Sequence, residues 1–342
     1  MNLQWQEDLD YKSLQKLVFT RLQGIYEGDN LVTELGALLN LQRAAVYKRI
    51  SGETMIRFDE LVAIAMHFKF SLESVFNYNK EQVSFKFDQL NKPISSYREI
   101  LQYVKEVFDS FRNHDGNILI YSSRHLPFMH YIRYPALFEI HIQFWYRTSL
   151  ASQNSHQSES HFSRLTTEDR EIMKYLYAEY QAHPLTEVWG TNILEELYSK
   201  IKFLVLSNVI NSEEHLDDLL SNIKLLINHL KQMTQRDHTE KPISNTTSKV
   251  YVNELDLGTP MLYYESKEST KCFLVHQEPN FVYTYQKAFC DYSKTLLLNI
   301  IDYSKSITVD GAENRLKYFT KVETTFEQFK DDIRKVYDFA QL

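Results

Sequence analysis

A chain of 342 residues can hold two or three domains, each with a core of its own. Its 43% hydrophobic content is that of an ordinary globular protein, and only 8 Gly and 7 Pro argue against a glycine-rich nucleotide-binding enzyme and for a helix-rich chain. A net charge of −7 excludes general attraction of the whole body to nucleic acid, so any such contact must be local.

Residues 11–26 predict a first helix, with Leu14, Leu17, Val18, Leu22 and Ile25 on one face. Gly28-Asp29-Asn30 stops it and opens a second helix over 31–39. A third spans 42–51 and ends at Ser51-Gly52. A fourth spans 58–68, with Leu61, Ile64, Ala65 and Phe68 inward, and Ser71 caps a short fifth carrying Leu72, Val75 and Phe76. Short loops make these five helices a compact bundle over residues 1–80.

A polar and aromatic connector (77–93) leads to a strongly amphipathic helix at 95–111, with Ile100, Leu101, Val104, Val107, Phe108 and Phe111 on its apolar face. Residues 117–121 read as a short buried strand. The stretch 128–146 is dense in aromatic residues, 149–163 is a Ser/Gln/His-rich loop, and helices follow at 167–181, 187–208 and 212–233. A polar linker at 235–249 precedes strands at 250–257, 261–265, 271–276 and 281–286, then helices at 289–303 and 312–339. The expected fold is mainly α. It comprises the N-terminal bundle (1–80), a mainly helical middle and dimerisation domain (81–240), and a smaller α/β domain (241–342). The last would carry a short antiparallel sheet and is a candidate sensor.

The most informative segment reads Leu35-Gly36-x-x-Leu39-Asn40-Leu41-Gln42, then Ala45-Val46-Tyr47-Lys48-Arg49, then Gly52. Two short helices that meet at a steep angle need a small residue where their backbones approach, and Gly36 supplies it. They need apolar anchors, here Leu35, Leu39, Leu41 and Val46, and a turn residue that accepts positive φ, here Asn40. Residues 1–80 carry 9 Lys/Arg against 10 Asp/Glu, yet 42–58 holds four basic residues (Arg43, Lys48, Arg49, Arg57) and one acid, Glu53.

With Ile64-Ala65 and Ser71-Leu72-x-x-Val75-Phe76 downstream, residues 13–78 resemble the Cro/C1-type (XRE-like) helix-turn-helix regulators. The chain departs from that pattern in having Asn40 where Gly is frequent, Gly36 where Ala is frequent, Arg49-Ile50 before Gly52, and Ile56 for the usual Pro. The resemblance implies that the third helix enters the DNA major groove, with Gln42, Arg43, Ala44, Tyr47 and Lys48 at base edges. The residue types suit this independently. Gln pairs with adenine and Arg or Lys with guanine, each good pair giving ~1–3 kcal/mol of discrimination, and Ala44 suits a thymine methyl. Asn30, Arg49 and Arg57 are expected at phosphates. One such head covers little DNA, so a homodimer on half-sites ~34 Å apart is expected. The alternative is a protein-interaction scaffold that uses the same bundle without reading DNA.

Nothing else in the sequence carries chemistry as specific. Cys272 and Cys290 make no disulfide framework or zinc knuckle, and Cys272 with His276 is a poor nucleophile pair. The 12 His, among them His125, His130, His141, His156 and His161, form no HExxH, and no GxGxxG, GxxxxGK[ST] or GxSxG occurs. No metal, cofactor or catalytic activity is expected, although an enzyme domain fused to the head would show a deep polar pocket in the body. Phe128, Tyr131, Tyr134, Phe138 and Trp145 are the candidate lining of a pocket for a small-molecule effector, with a helical core as the competing reading. No secretory leader is visible, and no run reaches the ~18 apolar residues needed to span a bilayer. A cytoplasmic protein without a membrane partner is expected.

Overall fold

In the computed structural model the chain divides into two compact units, Met1–Ser84 and Phe85–Leu342. The structure describes residues 10–23, 29–69, 72, 83–87, 96–109, 118–149, 165–182, 185–235, 248–255, 257–267, 269–277 and 280–341.

The first unit contains α1 (Tyr11–Gln23), α2 (Asp29–Leu39), α3 (Arg43–Ile50) and α4 (Phe58–His67). Asp10 opens α1 as an N-cap, accepting from the Lys12 backbone N–H at 3.1 Å and the Ser13 hydroxyl at 2.5 Å. The buried side of α1 is Gln15, Val18, Phe19 and Leu22, whereas Leu17 is 48% exposed. The helix is therefore rotated from the face expected of it, because Phe19 packs inward and Gln15 finds backbone partners there. Val18, Phe19, Leu22, Leu31, Leu35, Val46 and Ile64 form the core. The expected fifth helix lies outside the described residues except for Leu72.

The second unit is built on a seven-stranded mixed sheet. After α5 (Tyr97–Asp109) come β1 (Ile118–Ser123), α6 (Phe128–Ile132), α7 (Pro135–Ser149), α8 (Thr167–Ala182) and β2 (Leu185–Trp189). Next are α9 (Glu195–Leu206), α10 (Glu213–Gln235), β3 (Lys249–Val252), β4 (Met261–Glu265), β5 (Thr270–Gln277) and β6 (Asn280–Thr284). The chain closes with α11 (Lys287–Asp302), β7 (Lys305–Ser306), a 3₁₀ turn (Val309–Gly311) and α12 (Ala312–Ala340). The strand order is β6-β5-β4-β1-β2-β3-β7. β1 and β2 run parallel, as do β2 and β3, while β4, β5 and β6 form an antiparallel meander on the other side of β1.

Three expectations are corrected here. The sheet is mixed rather than a short antiparallel one, because β1, expected as a strand at 117–121 but outside that sheet, and β2, expected as helix, supply its centre. Residue 240 does not separate two folding units, since strands on both sides of it pair with one another. The helix expected over 187–208 begins as β2, turns at 191–194, and becomes helical only at Glu195.

Alternation along the strands assigns two faces. Leu119, Tyr121, Leu185, Tyr264 and Phe273 face a core shared with α5 through α8, and Trp189, Val250 and Val252 continue that side under α9, α10 and α12. Ile120, Tyr263 and Cys272 face the other way and are covered by Cys290 and Leu297 of α11. Among the described residues no helix is long and apolar enough to cross a membrane.

Glu187 is buried on the first face, where an apolar side chain would be expected. Its carboxylate accepts from the Tyr180 hydroxyl at 2.7 Å, the Trp189 indole N–H at 2.5 Å and the His130 imidazole at 3.0 Å. Burial pushes its carboxyl up, but His130 and these donors outweigh that and hold it below its ordinary value. The three donors come from α6, α8 and β2, so one acceptor ties two helices to the centre of the sheet. Removing a single partner from such a buried polar group costs more than the group contributes when intact. Glu187→Ala is expected to lower the stability of the second unit by about 3–5 kcal/mol, read as a shifted urea midpoint. Glu187→Gln, which keeps one acceptor, is expected to lose less.

Candidate nucleic-acid interface

The turn between α2 and α3 is set by two residues. Asn40 takes the left-handed conformation at φ 53°, and the Leu41 N–H donates back to the Gly36 carbonyl at 2.9 Å. This 6→1 bond closes α2 as a Schellman turn. A Cβ built on Gly36 would stand 3.1 Å from the Leu41 carbonyl oxygen, so a side chain there would crowd the close reversal by a few tenths of an ångström. Gln42 then leaves in extended geometry (φ −70°, ψ 154°), and its carbonyl accepts from Ala45 and Val46 to start α3.

Val46 is the only residue of α3 buried against the core, at 1% exposure. The opposite side of the helix is open: Gln42, Arg43, Ala44, Tyr47 and Lys48 are all exposed. The Arg43 guanidinium lies over the Tyr47 ring, 5.9 Å from its centroid, so the two form one cationic patch. Lys48 pairs with Glu53 at 3.2 Å, both side chains more than half exposed, and such a surface pair contributes only ~0–1 kcal/mol. It opens at little cost when a stronger acceptor arrives.

Arg49, expected at a phosphate, is instead turned into the protein. Its Nε and Nη2 form a fork to Glu60 at 2.8 and 2.9 Å, with the two side chains only 14% and 11% exposed. Glu60 also accepts from the Arg57 backbone N–H at 2.9 Å, capping α4. One carboxylate thus joins the end of α3 to the start of α4. Gln15 completes the attachment from α1: its Nε2 donates to the carbonyls of Arg49 (2.6 Å) and Thr54 (2.9 Å), and its Oε1 accepts from the Ile56 N–H (2.8 Å).

Arg57 stays exposed, in a fork to Asp59 at 3.0 and 2.8 Å, and Asn30 is exposed in the first turn of α2. The structural residues Gln15 and Glu60 were missed by sequence reading. The available signal was a polar side chain at the inward position of a helix (Gln15) and an acid three residues after Arg57 (Glu60).

The aromatic residues expected to line one pocket are dispersed. Tyr131 and Tyr134 pack in the core around Trp189, and Phe138 is fully buried between helices. Phe128 borders a small apolar cavity and Trp145 a more polar one beside it that shares Val275 in its lining. The long aromatic run is mostly core because α6 and α7 are covered on several sides. Cys272 and Cys290 are buried free thiols, and burial pushes the Cys290 thiol up to about 12, which removes its nucleophilic character. Near the polar cavity, the His125 backbone N–H donates to the Ser123 hydroxyl at 3.2 Å. Among the described residues no group of three or more His, Cys, Asp or Glu is placed to hold a metal ion.

No family model, no curated protein and no solved structure matches this chain.

The Arg49–Glu60 fork makes the mounting of α3 sensitive to acid. The Arg49 guanidinium holds the Glu60 carboxyl below its ordinary value, against the opposing effect of burial. Its stabilisation is therefore complete above the unfolded carboxyl range, near about pH 4.3, and is lost as pH falls through the lower folded value. Amide exchange of α3 in the full chain, corrected for intrinsic rates, is expected to lose protection as pH drops from about 5 to about 3. Glu60→Gln is expected to exchange faster at neutral pH and to show a flatter acid dependence.

Proposed function

We propose that this protein is a sequence-specific DNA-binding transcriptional regulator that reads the major groove with α3 and binds as a homodimer. The observation that carries this reading is the division of labour on α3. Val46, Arg49 and Gln15 fasten the helix to the bundle, while Gln42, Arg43, Ala44, Tyr47 and Lys48 remain together on its open side. These are side chains that can read base edges: an amide, a guanidinium, a methyl, a phenol and an ammonium. A rigid mounting with an open polar edge is what direct readout requires, since a base contact gains specificity only when its donor is held in register.

In this reading Arg43 and Lys48 favour guanine, Gln42 favours adenine, and Ala44 meets a thymine methyl. Arg57 and the first turn of α2 at Asn30 meet the phosphate backbone. Arg49 is a positioning residue that acts through Glu60. The overall charge of −7 is compatible with this because the cations that matter are concentrated between residues 42 and 58. Two copies of the head on half-sites about 34 Å apart would supply the length of recognised sequence that one head lacks.

Selection of duplexes from a random pool by the full chain is expected to enrich a two-fold repeated sequence, with affinity falling steeply as salt rises. Arg43→Ala is expected to relax preference at one base position of each half-site and cost about 1–3 kcal/mol on the preferred sequence. Arg57→Ala should weaken all duplexes alike and reduce the salt slope by about one per head. Failure to bind any duplex at low salt overturns the reading, and identical profiles for the two variants overturn the division of roles.

A further inference from the structure

A polar cavity of about 360 Å³ lies in the second unit, beyond the carboxyl end of β1. There β1 has a parallel neighbour on one side and an antiparallel neighbour on the other, and such changes of strand direction leave a crevice outside the strand ends. Gly190, just after β2, keeps the strand ends close. Its N–H donates to the Ser123 carbonyl at 3.0 Å, and a Cβ there would stand 2.5 Å from the Arg124 carbonyl oxygen.

Ser123, His125, Glu196, Lys200, Val275 and His276 line the cavity, with Phe144 and Trp145 of α7 as its aromatic side. Lys200 is the unusual member. Lysine normally extends its ammonium into water, yet this residue is only 5% exposed. Its Nζ donates to Glu196 at 2.8 Å and stands 5.7 Å from the centroid of the Phe144 ring. Glu196 takes one of the three ammonium donors. The Nδ1 of His125 is buried and has no hydrogen-bond partner, and burial holds this imidazole below its ordinary pKa. An ammonium and an imidazole nitrogen with bonding capacity left over, in a space sized for a small molecule, suit a carboxylate head.

The same sheet face continues into a second cavity of about 100 Å³ that is almost wholly apolar. Leu119 and Tyr121 line it from β1, in the alternating row that ends at Ser123. Phe273 and Val275 line it from β5, and Val275 also borders the polar cavity. Val104 and Phe128 cover it from the helices. A polar end and an apolar end therefore lie in line on one strand row and share one wall. A wider groove of about 460 Å³ between α9 and α12, where Tyr198 stacks on Phe329, has no buried charge in its lining and suggests no particular head group.

We propose that the two adjoining cavities form one binding site for a medium-chain carboxylic acid. The carboxylate accepts from Lys200 and His125, and the alkyl tail passes Val275 toward Leu119 and Phe273. The site lies wholly within residues 85–342, and binding is measured directly. Its failure would therefore leave the DNA-binding reading standing, and the reverse also holds.

The test is calorimetric titration of the full chain with butanoate, hexanoate, octanoate and decanoate, and with octan-1-ol as the uncharged match. Saturable binding at one site per chain is expected, with affinity rising roughly fourfold per added methylene until the tail fills the apolar end. Octan-1-ol is expected to bind at least tenfold more weakly than octanoate. Lys200→Met keeps the aliphatic stem and is expected to lose at least tenfold in octanoate affinity with an unchanged circular dichroism spectrum. If that variant does not fold, His125→Phe serves the same purpose. Val275→Phe, which narrows the junction, is expected to abolish the gain from hexanoate to decanoate while leaving butanoate binding intact. No saturable binding of any acid, equal affinity for octan-1-ol, or octanoate affinity unchanged in the head-group variant would each overturn the proposal.

Discussion

The carboxylate of Glu60 is where the geometry of the head is decided. It receives the Arg49 fork from α3 and the Arg57 N–H that begins α4, so two helices share one acceptor. A bidentate guanidinium–carboxylate pair fixes direction as well as distance, which a lysine in place of Arg49 would not do. With that end of α3 fastened, and Val46 anchoring its middle, the helix has little freedom to roll about its axis. The five exposed side chains on its other edge therefore hold a constant spacing. A charge that sequence alone offers to a phosphate is more useful inside the protein, because it sets the angle at which the neighbouring side chains are presented.

The second unit uses the same principle on a larger scale. Glu187 occupies a position on β2 where packing alone would favour an apolar residue, and it collects donors from Tyr180, Trp189 and His130. In a low-dielectric interior such a satisfied group specifies one arrangement of the elements around it, because every alternative leaves a donor or an acceptor unpaired. The helices above the sheet are thereby registered along its strands. That registration keeps Ser123, Lys200 and Val275 around one cavity although they come from β1, α9 and β5.

What was legible in the sequence follows from this. Amphipathic spacing gave the ends of α2, α10 and α12 to within two or three residues, and Asn40 revealed the turn because few residues tolerate its backbone conformation. The meander of β4 to β6 was legible because Gly, Pro and Asn punctuate it. β2 was not, since its inward Glu187 breaks the apolar alternation that marks a strand and reads as the acidic start of a helix. Pairing between β1 and β4 leaves no local trace at all. On α3, composition located the cations but could not say which are held inside. Only the position of Glu60 in three dimensions shows that Arg49 is fastened between two helices while Arg43 is exposed. The polar cavity was invisible for a similar reason: its residues are individually ordinary and gather only when the sheet closes.

The pairing of β1 with β4 has a consequence for how the chain is made. Ser122 of β1 lies opposite Met261 of β4, so the centre of the sheet waits until a much later part of the chain has been synthesised. At typical elongation rates that delay is on the order of ten seconds. During it β1, apolar on both faces, has an unfilled edge, and in a nascent chain such an edge is a site of mispairing. The first unit, whose described contacts lie within a few dozen residues of one another, can complete its fold long before the sheet. Newly made chains therefore pass through a period with a finished N-terminal unit and an unfinished second one, with the edge at residues 118–123 still open.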